Sequence, residues 1–344
     1  MHIDKFEDAI MNCRFCFMCR HLSSVGNVRF TEVDTPRIRA AMMYGLRTGT
    51  NSFDDEDFID ALYRQDLSAC CVHHCVNHYD ENGLALAARA DVVEAGKAPE
   101  AVKKLAAKYE KSAEWTIDGK GDVAWFLDET TAADKNAVAA MKKLFAAAKV
   151  MPRVITGGCI GKVLKVLGYL GEAKAAAEKF AEFLKAEGVK TLVVTNPAAA
   201  NALKQDYPEF GVKVPCKVQC LSGFLMGKGV KFKKAAGEVY ALADDFQRNY
   251  EGCGCMGRML DYLKAVNKPF GTNDEESYCC GEGAVVLDKL NPELVKALAE
   301  YVAERADDPK KDCIVVASPY TKKALVKYGK LKAITLDELA AKCL

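Results

Sequence analysis

Apolar and polar positions follow two different patterns along this chain, and the pattern changes near residue 121. Before that point, residues 4–13, 55–68 and 84–93 place apolar side chains at helical spacing. Residues 97–120 form a charged helix and connector that closes with Asp118-Gly-Lys-Gly121, which marks a boundary. The sequence therefore predicts a small helical domain over residues 1–100.

Beyond residue 121, short apolar runs alternate with longer amphipathic stretches. Strands are predicted at residues 123–127, 153–156 and 191–195, and helices at residues 133–148 and 170–187. Strands that alternate with helices favour an α/β fold with a mostly parallel sheet and helices packed against it.

The second half of the α/β region repeats the first. Residues 192–203 match residues 314–325 at an offset of 122, and Cys159 falls opposite Cys280 at an offset of 121. We therefore predict two α/β repeats, over residues 121–235 and 236–344, that face each other about a pseudo-twofold axis. A functional site is expected at their interface.

Composition excludes several classes of function. The chain has 344 residues, 28% of them charged, and a formal net charge of +1, so charge gives no reason to expect a nucleic acid or an anionic membrane as partner. The first residues lack the apolar segment of a signal peptide. No apolar run reaches the roughly 18 residues of a transmembrane helix. We expect a cytoplasmic protein.

Fifteen cysteines in such a chain indicate metal thiolates in a reducing compartment rather than disulfides. Cys13, Cys16 and Cys19 have the C-x2-C-x2-C spacing that holds iron–sulfur cubanes, for which a distant segment supplies the fourth thiolate. We expect that segment to be residues 70–75.

The number of clusters follows from comparing two ferredoxin-type runs. One cubane would take Cys13, Cys16, Cys19 and Cys75, and all four are cysteine. The other would take Ser23, Gln65, Ser68 and Cys71, of which one is a thiol. We therefore predict a single N-terminal [4Fe-4S] cluster. The alternatives for its fourth ligand are Cys70, Cys71, His73, His74 and His78. Zinc is the alternative metal, although it favours paired C-x2-C motifs.

A second group of cysteines lies in the second repeat. Its members stand among glycines, which allow the backbone to approach a cluster closely; they are Cys253, Cys255, Cys279 and Cys280.

Cys279-Cys280-Gly281, followed by a proline-containing turn, resembles the cysteine-rich CCG domain. That domain occurs twice in the CCG-containing subunit of heterodisulfide reductase and in the iron–sulfur subunits of glycolate oxidase and of lactate-utilisation oxidoreductases. With the N-terminal cysteines, the resemblance spans about residues 8–340. It implies a helical ferredoxin-like domain followed by two CCG repeats. It also implies an electron-transfer subunit that takes electrons from a FAD-linked 2-hydroxy-acid dehydrogenase partner, rather than an enzyme acting alone.

The chain departs from this family in both repeats. A full repeat supplies a lone cysteine, then Cys-Cys, then C-x2-C. The first repeat has Asp128, Cys159-Ile160, Asn196 and Ala199 at these positions, and the second has Cys253, Cys279-Cys280, Ser318 and Thr321. The resemblance thus implies that the first repeat holds no cluster of its own. A second cluster would need Cys253, Cys255, Cys279 and Cys280, or Cys159 from the other repeat.

Three alternatives remain from the sequence. One is a heterodisulfide-reductase-like catalyst acting at Cys279 and Cys280. Another is a scaffold that kept the fold without its metals, and the third is a zinc-stabilised interaction protein. No nucleotide-binding fingerprint follows a strand, so the flavin is expected on the partner.

Overall fold

The computed structural model describes residues 1–13, 16–72, 74–243, 245–248, 250, 255–268, 278–308, 310 and 313–344. Its first part is helical, with 3-10 helices at His2–Phe6 and Glu32–Asp34. The α-helices of this part are α1 (Glu7–Met11), α2 (Ser24–Arg29), α3 (Pro36–Thr48), α4 (Glu56–Tyr63), α5 (Glu81–Glu94) and α6 (Glu100–Lys111).

Local sequence explains where these helices begin and end. The Asp55 carboxylate accepts hydrogen bonds from the backbone N–H groups of Asp57 and Phe58, which caps α4. Proline at the first position opens α3, and Gly49, with φ 77°, closes it. Helix α4 ends five residues before the predicted limit of 68, because the following chain is irregular.

A five-stranded sheet follows, in the order β1-β3-β2-β4-β5, and only β1 is antiparallel to its neighbour. The strands are β1 (Trp115–Asp118), β2 (Val123–Leu127), β3 (Arg153–Gly157), β4 (Thr191–Val194) and β5 (Lys217–Cys220). The helices are α7 (Glu129–Ala132), α8 (Lys135–Ala147), α9 (Lys162–Leu167), α10 (Leu170–Ala186), α11 (Pro197–Asn201), α12 (Tyr207–Glu209) and α13 (Leu221–Gly227), with a π-helix at Ala202–Asp206.

A second sheet contains four parallel strands in the order β7-β6-β8-β9. They are β6 (Glu238–Ala241), β7 (Val266–Asn267), β8 (Cys313–Val316) and β9 (Lys332–Thr335). Its helices are α14 (Asp245–Arg248), α15 (Cys255–Tyr262), α16 (Leu287–Leu290), α17 (Pro292–Ala303), α18 (Pro319–Lys327) and α19 (Leu336–Lys342). This order repeats β3-β2-β4-β5, so the α/β class with mostly parallel sheets is confirmed.

The sequence analysis missed one strand. Residues 97–120 are predicted as helix and connector, whereas the structure ends α6 at Lys111 and adds β1 at the edge of the sheet. Trp115 pairs with Gly157, where a Cβ atom would lie 2.3 Å from the Glu114 carbonyl oxygen. The missing side chain at Gly157 therefore lets this edge strand pair.

The two sheets share one apolar core. Helix α8 packs against α19, and their counterparts α15 and α13 pack against each other, as a pseudo-twofold relation requires. Trp125 and Leu144 from the first sheet's half lie in the same cluster as Val315 and Leu339 from the second. Within the described residues, no helix is long and apolar enough to cross a membrane.

The sequence match places Cys159 opposite Cys280, but the backbone of the two cysteine turns pairs Cys159 with the residue before Cys280. The Gly161 N–H donates to Cys159 Sγ at 3.3 Å, and the Gly281 N–H donates to Cys279 Sγ at 3.0 Å. Both glycines have positive φ, 99° and 84°. The structural counterpart of Cys159 is therefore Cys279, not Cys280.

Candidate functional site

The loops that carry Cys13 and Cys75 lie together at one end of the N-terminal helices. Both thiols pack, half-buried, against the core formed by these helices. The Asn77 side-chain amide donates to the Asn12 carbonyl oxygen, 65 residues away along the chain. The structure thus joins the cysteine triplet to the distant segment that was expected to complete it.

Cys19 lies at the start of a helix. The backbone N–H of Arg37, in the first turn of α3, donates to the Cys19 sulfur. The amino-terminal end of a 13-residue helix is partly positive, and it stabilises a thiolate there. Burial nevertheless raises the pKa of the Cys19 thiol to about 11, and charges on Cys13 and Cys16 act in the same direction. The Cys19 thiol therefore needs a cation nearby before it ionises at neutral pH.

The four candidate thiols are not gathered around one point. In the described part of the chain, no three of the sulfurs of Cys13, Cys16, Cys19 and Cys75 lie within 4.8 Å of one another. Zinc bonds to sulfur are about 2.3 Å long, so a single zinc ion would need these thiols to move closer together. A cubane contributes its own irons and sulfides and keeps its cysteines further apart. The metal that these thiols hold stays a prediction.

The four positions of the second ferredoxin-type cluster are all buried. Ser23 caps α2, accepting from the Gly26 N–H at 3.2 Å, and donates to the Asp34 carbonyl oxygen. Neither amide atom of Gln65 has a hydrogen-bond partner among the described residues. Three of the four positions thus hold buried polar side chains, and the fourth is Cys71.

Buried charges surround these positions, and sequence reasoning missed them. Arg39 forms an ion pair with Glu81 at 3.3 Å, with both side chains buried. Burial raises the pKa of Glu81 to about 7 and also raises the pKa of the nearby buried Asp66. Charged residues in a helical pattern are ordinarily assigned to the solvent face. The one sequence feature that indicates a helix buried on all sides is the alanine-rich composition of α5.

The second repeat's cysteine turn lies directly against this region. A Cβ atom at Gly283 would be 2.0 Å from the carbonyl oxygen of Leu67. Burial, and then the charges of Asp245 and Asp66, raise the pKa of Cys279. Asp66 therefore connects the N-terminal cysteine region electrostatically with Cys279, although the two are more than 200 residues apart in sequence.

The Cys279 thiol is held by a carboxylate. Its Sγ donates to Asp245 Oδ2 at 2.8 Å, and the Gly283 N–H donates to the same oxygen at 3.0 Å. The neighbouring Cys280 is buried in the apolar core of the second repeat. The two adjacent cysteines thus have different surroundings, and the carboxylate contact belongs to Cys279.

The first repeat has a cavity of about 100 Å³ at the carboxyl ends of β2 and β4. These strands are neighbours although β3 lies between them in sequence, so this is the topological switch point where α/β sheets bind ligands. The five positions compared above with the cysteines of a CCG repeat all line it; they are Asp128, Cys159, Ile160, Asn196 and Ala199. The Asn196 amide donates to Asp128 Oδ1 at 2.9 Å. One of these five residues carries a thiol.

The ligand set of a second cluster stays a prediction. Cys253 and His73 lie outside the described residues, and of Cys255 only the backbone at the start of α15 is described. Cys159 lies in its own repeat, where its backbone N–H donates to Ser112 Oγ. Over the described ranges, no group of three metal-binding side chains includes Cys159, Cys279 or Cys280.

Comparison with known proteins gives no family. No protein-family model matches the chain, and no curated protein matches it. Among solved structures, it is similar to Picrophilus torridus aspartate racemase at 14% identity, over 64% of this chain and 91% of that chain, with a TM-score of 0.34. A likeness of this degree says nothing about function.

Proposed function

We propose that this protein is an iron–sulfur electron-transfer subunit whose [4Fe-4S] cluster is held by Cys13, Cys16, Cys19 and Cys75. The observation that carries the proposal is the joining of the two cysteine loops through Asn77 and Asn12. When bound, such a cluster accepts and releases one electron at a time.

The chain's own residues suit this role. The Arg37 N–H at the start of α3 favours the ionised form of Cys19. The Arg37 guanidinium lies 4.4 Å from the centre of the Phe17 ring and pairs with Glu32, which orders the loop between the cysteines. Cys16 and Phe17 are exposed, and Phe17 retains 65% of its accessible surface. The cluster loop thus meets solvent, where a partner can exchange electrons with it.

The partner follows from the family resemblance. We propose that it is a FAD-linked 2-hydroxy-acid dehydrogenase that oxidises its substrate in the cytoplasm and passes the electrons to this chain. The sequence has no nucleotide-binding fingerprint, so in this scheme the flavin stays on the partner.

A second candidate function rests on Cys279. Its thiol donates to the Asp245 carboxylate, and Gly283 of the same turn packs against Leu67 in the N-terminal part. A heterodisulfide-reductase-like catalyst would need a cluster near Cys279 and Cys280 that reduces a disulfide in two one-electron steps. The absence of cysteine at Ser318 and Thr321 argues for electron relay as the first choice.

Metal analysis tests the proposal. Anaerobically purified protein should contain about four irons and four sulfides per chain, with one paramagnetic signal after reduction. Replacing Cys16 with Ser should abolish that iron and loosen residues 1–90, because one of four ligands is lost. Cys216→Ser is the control, since Cys216 is a half-buried cysteine of the first repeat that packs against that repeat's own core. Unchanged iron and visible absorbance in Cys16→Ser would refute the ligand assignment.

A further inference from the structure

Two cysteines that the cubane does not use form a compact pair with a carboxylate. Cys70 Sγ and Cys71 Sγ are 3.7 Å apart. Together with a carboxylate oxygen of Glu81, they lie within 4.8 Å of one another, and all three residues are buried. Glu81 accepts hydrogen bonds from both the N–H and the thiol of Cys71.

Irregular backbone turns the two adjacent thiols to the same side. Leu67 and Ala69, just before them, have φ of 53° and 56°, a conformation that costs L-residues energy. Successive side chains of a regular strand would point to opposite faces. The local fold thus holds a pair of sulfurs together that regular structure would separate.

The sulfur separation matches the edge of a tetrahedral metal site. Bonds of about 2.3 Å from zinc to two thiolates, at the tetrahedral angle, place the sulfurs about 3.8 Å apart. The observed 3.7 Å agrees with that edge, and it is far longer than the bond of about 2.0 Å in a disulfide. The carboxylate then stands where a third ligand is needed.

The surrounding charges balance a divalent cation. Two thiolates and the Glu81 carboxylate carry three negative charges, and the Arg39 guanidinium, 3.3 Å from Glu81, supplies one positive charge. A divalent ion brings this buried set to neutrality, which removes the cost of burying unpaired charge. Arg39 also orients the carboxylate, as outer-shell partners of metal ligands do.

We propose that Cys70, Cys71 and Glu81 bind one Zn²⁺ ion next to the N-terminal cluster. The site includes Cys71, one of the four positions that a second ferredoxin-type cluster would use. Ser68, whose hydroxyl donates to Cys70 Sγ at 3.2 Å, borders the site. This site uses none of the four cysteines assigned to the cubane, so it does not depend on the electron-transfer proposal.

The test compares zinc and iron in the same preparations of the full chain. Wild-type protein should contain one equivalent of zinc in addition to its iron. Cys71→Ser should lose the zinc and keep the iron, whereas Cys16→Ser should lose the iron and keep the zinc. Cys216→Ser should keep both. Glu81→Gln, which preserves the size of the side chain, should bind zinc at least tenfold more weakly in a chelator competition.

X-ray absorption at the zinc edge of the wild-type protein tests the ligands without any substitution. It should show two sulfurs at about 2.3 Å and oxygen at about 2.0–2.2 Å. Wild-type protein without zinc, zinc bound by four sulfurs, or a Cys70–Cys71 disulfide found by mass spectrometry would overturn the proposal. Loss of iron but not of zinc in Cys71→Ser would overturn it as well, because Cys71 would then be a cubane ligand.

Discussion

The buried side chain of Arg89 connects the N-terminal helices with the first repeat. Its guanidinium is buried and donates to the carbonyl oxygens of Leu62 at 2.7 Å, Val166 at 2.9 Å and Gln65 at 3.3 Å. Burial lowers its pKa to about 10, which leaves it charged at neutral pH. One side chain therefore satisfies backbone acceptors from both regions.

Replacing Arg89 with Met should destabilise the whole chain. The substitution keeps the apolar stem but leaves buried carbonyl groups unpaired, at a cost of about 3 kcal/mol in the free energy of unfolding. Urea titration followed by circular dichroism measures this. Arg258→Met, at an exposed position of α15, should change the free energy of unfolding by less than about 0.5 kcal/mol. Equal effects of the two substitutions would contradict the assigned role.

Asp337 should make stability fall as pH rises. Burial raises the pKa of its carboxyl from 3.8 to about 7, so the folded state binds a proton that the unfolded state has released. Its stabilising contribution is complete below the unfolded pKa and is lost as pH rises from about 4 to 7, by at most about 1.4 kcal/mol per pH unit.

Asp337→Asn mimics the protonated acid. It should therefore reduce the fall of the free energy of unfolding with rising pH, and it should raise the free energy of unfolding at pH 8. Part of the slope should remain, because burial also raises the pKa of Asp66, which contributes with the same sign. Denaturation at several pH values measures both effects. Asp261→Asn, at an exposed position, is the control; an unchanged slope in Asp337→Asn would exclude this carboxyl as its source.

At the residue scale, spacing predicts that Cys13, Cys16 and Cys19 are cubane ligands, because such ligands share one loop, and this stays a prediction. Spacing does not predict the buried charges near them. The burial of Arg39 and Glu81 depends on tertiary packing, and nothing in their local pattern indicates it.

Among the elements, the turn that contains Gly283 packs tightly against the N-terminal region. A methyl group there would collide with the Leu67 carbonyl oxygen, which belongs to backbone and cannot move aside easily. Gly283→Ala should lower the free energy of unfolding by about 1–3 kcal/mol and increase hydrogen exchange over residues 65–72. Gly257→Ala in α15, where a Cβ atom has no neighbour within 4 Å, should be neutral or stabilising.

Both measurements are needed to separate the contact from a general effect of alanine. A loss of stability in Gly257→Ala equal to that in Gly283→Ala would show that the contact with Leu67 is not the cause. A loss in Gly283→Ala without faster exchange over residues 65–72 would show that the two regions are not coupled.

Several elements were predicted within two residues of their observed ends, whereas α5 begins three residues before the predicted residue 84. Strand β2 begins and ends as predicted, and α10 ends one residue early. The short edge strand β1 was missed because four residues give too little alternation, and its pairing depends on Gly157. The end of α4 was missed because the left-handed residues Leu67 and Ala69 have no sequence signature.

For the whole molecule, Lys322 connects the two repeats. Its ammonium group lies 2.5 Å from Asp134, the cap of α8, and 2.6 Å from Glu338 in the first turn of α19. The three side chains are mostly buried, so the charges are only partly screened by water.

Lys322→Met should lower the free energy of unfolding by about 2 kcal/mol, because it leaves two neighbouring carboxylates without their cation. The adjacent Lys323→Met, which removes an exposed ion pair with Asp288, should cost less than about 1 kcal/mol. Thermal unfolding at low and high salt compares them. Equal losses of stability in the two variants would show that the contact between the two repeats does not depend on the Lys322 cation.

The sequence match between residues 192–203 and 314–325 corresponds to a strand followed by a helix in both places, β4 with α11 and β8 with α18. The contact between the N-terminal region and the second repeat could not be predicted. It joins residues far apart in sequence, and neither partner shows a local pattern that points to the other.

The graded burial of the cysteines gives this chain a built-in set of reporters. Cys16 is exposed, Cys19 is half-buried, and Cys71, Cys279 and Cys280 are buried in different places. The time course of alkylation at each thiol, followed by peptide mass spectrometry, thus records the order in which regions open. No additional cysteine has to be introduced by mutation to follow the folding of either half.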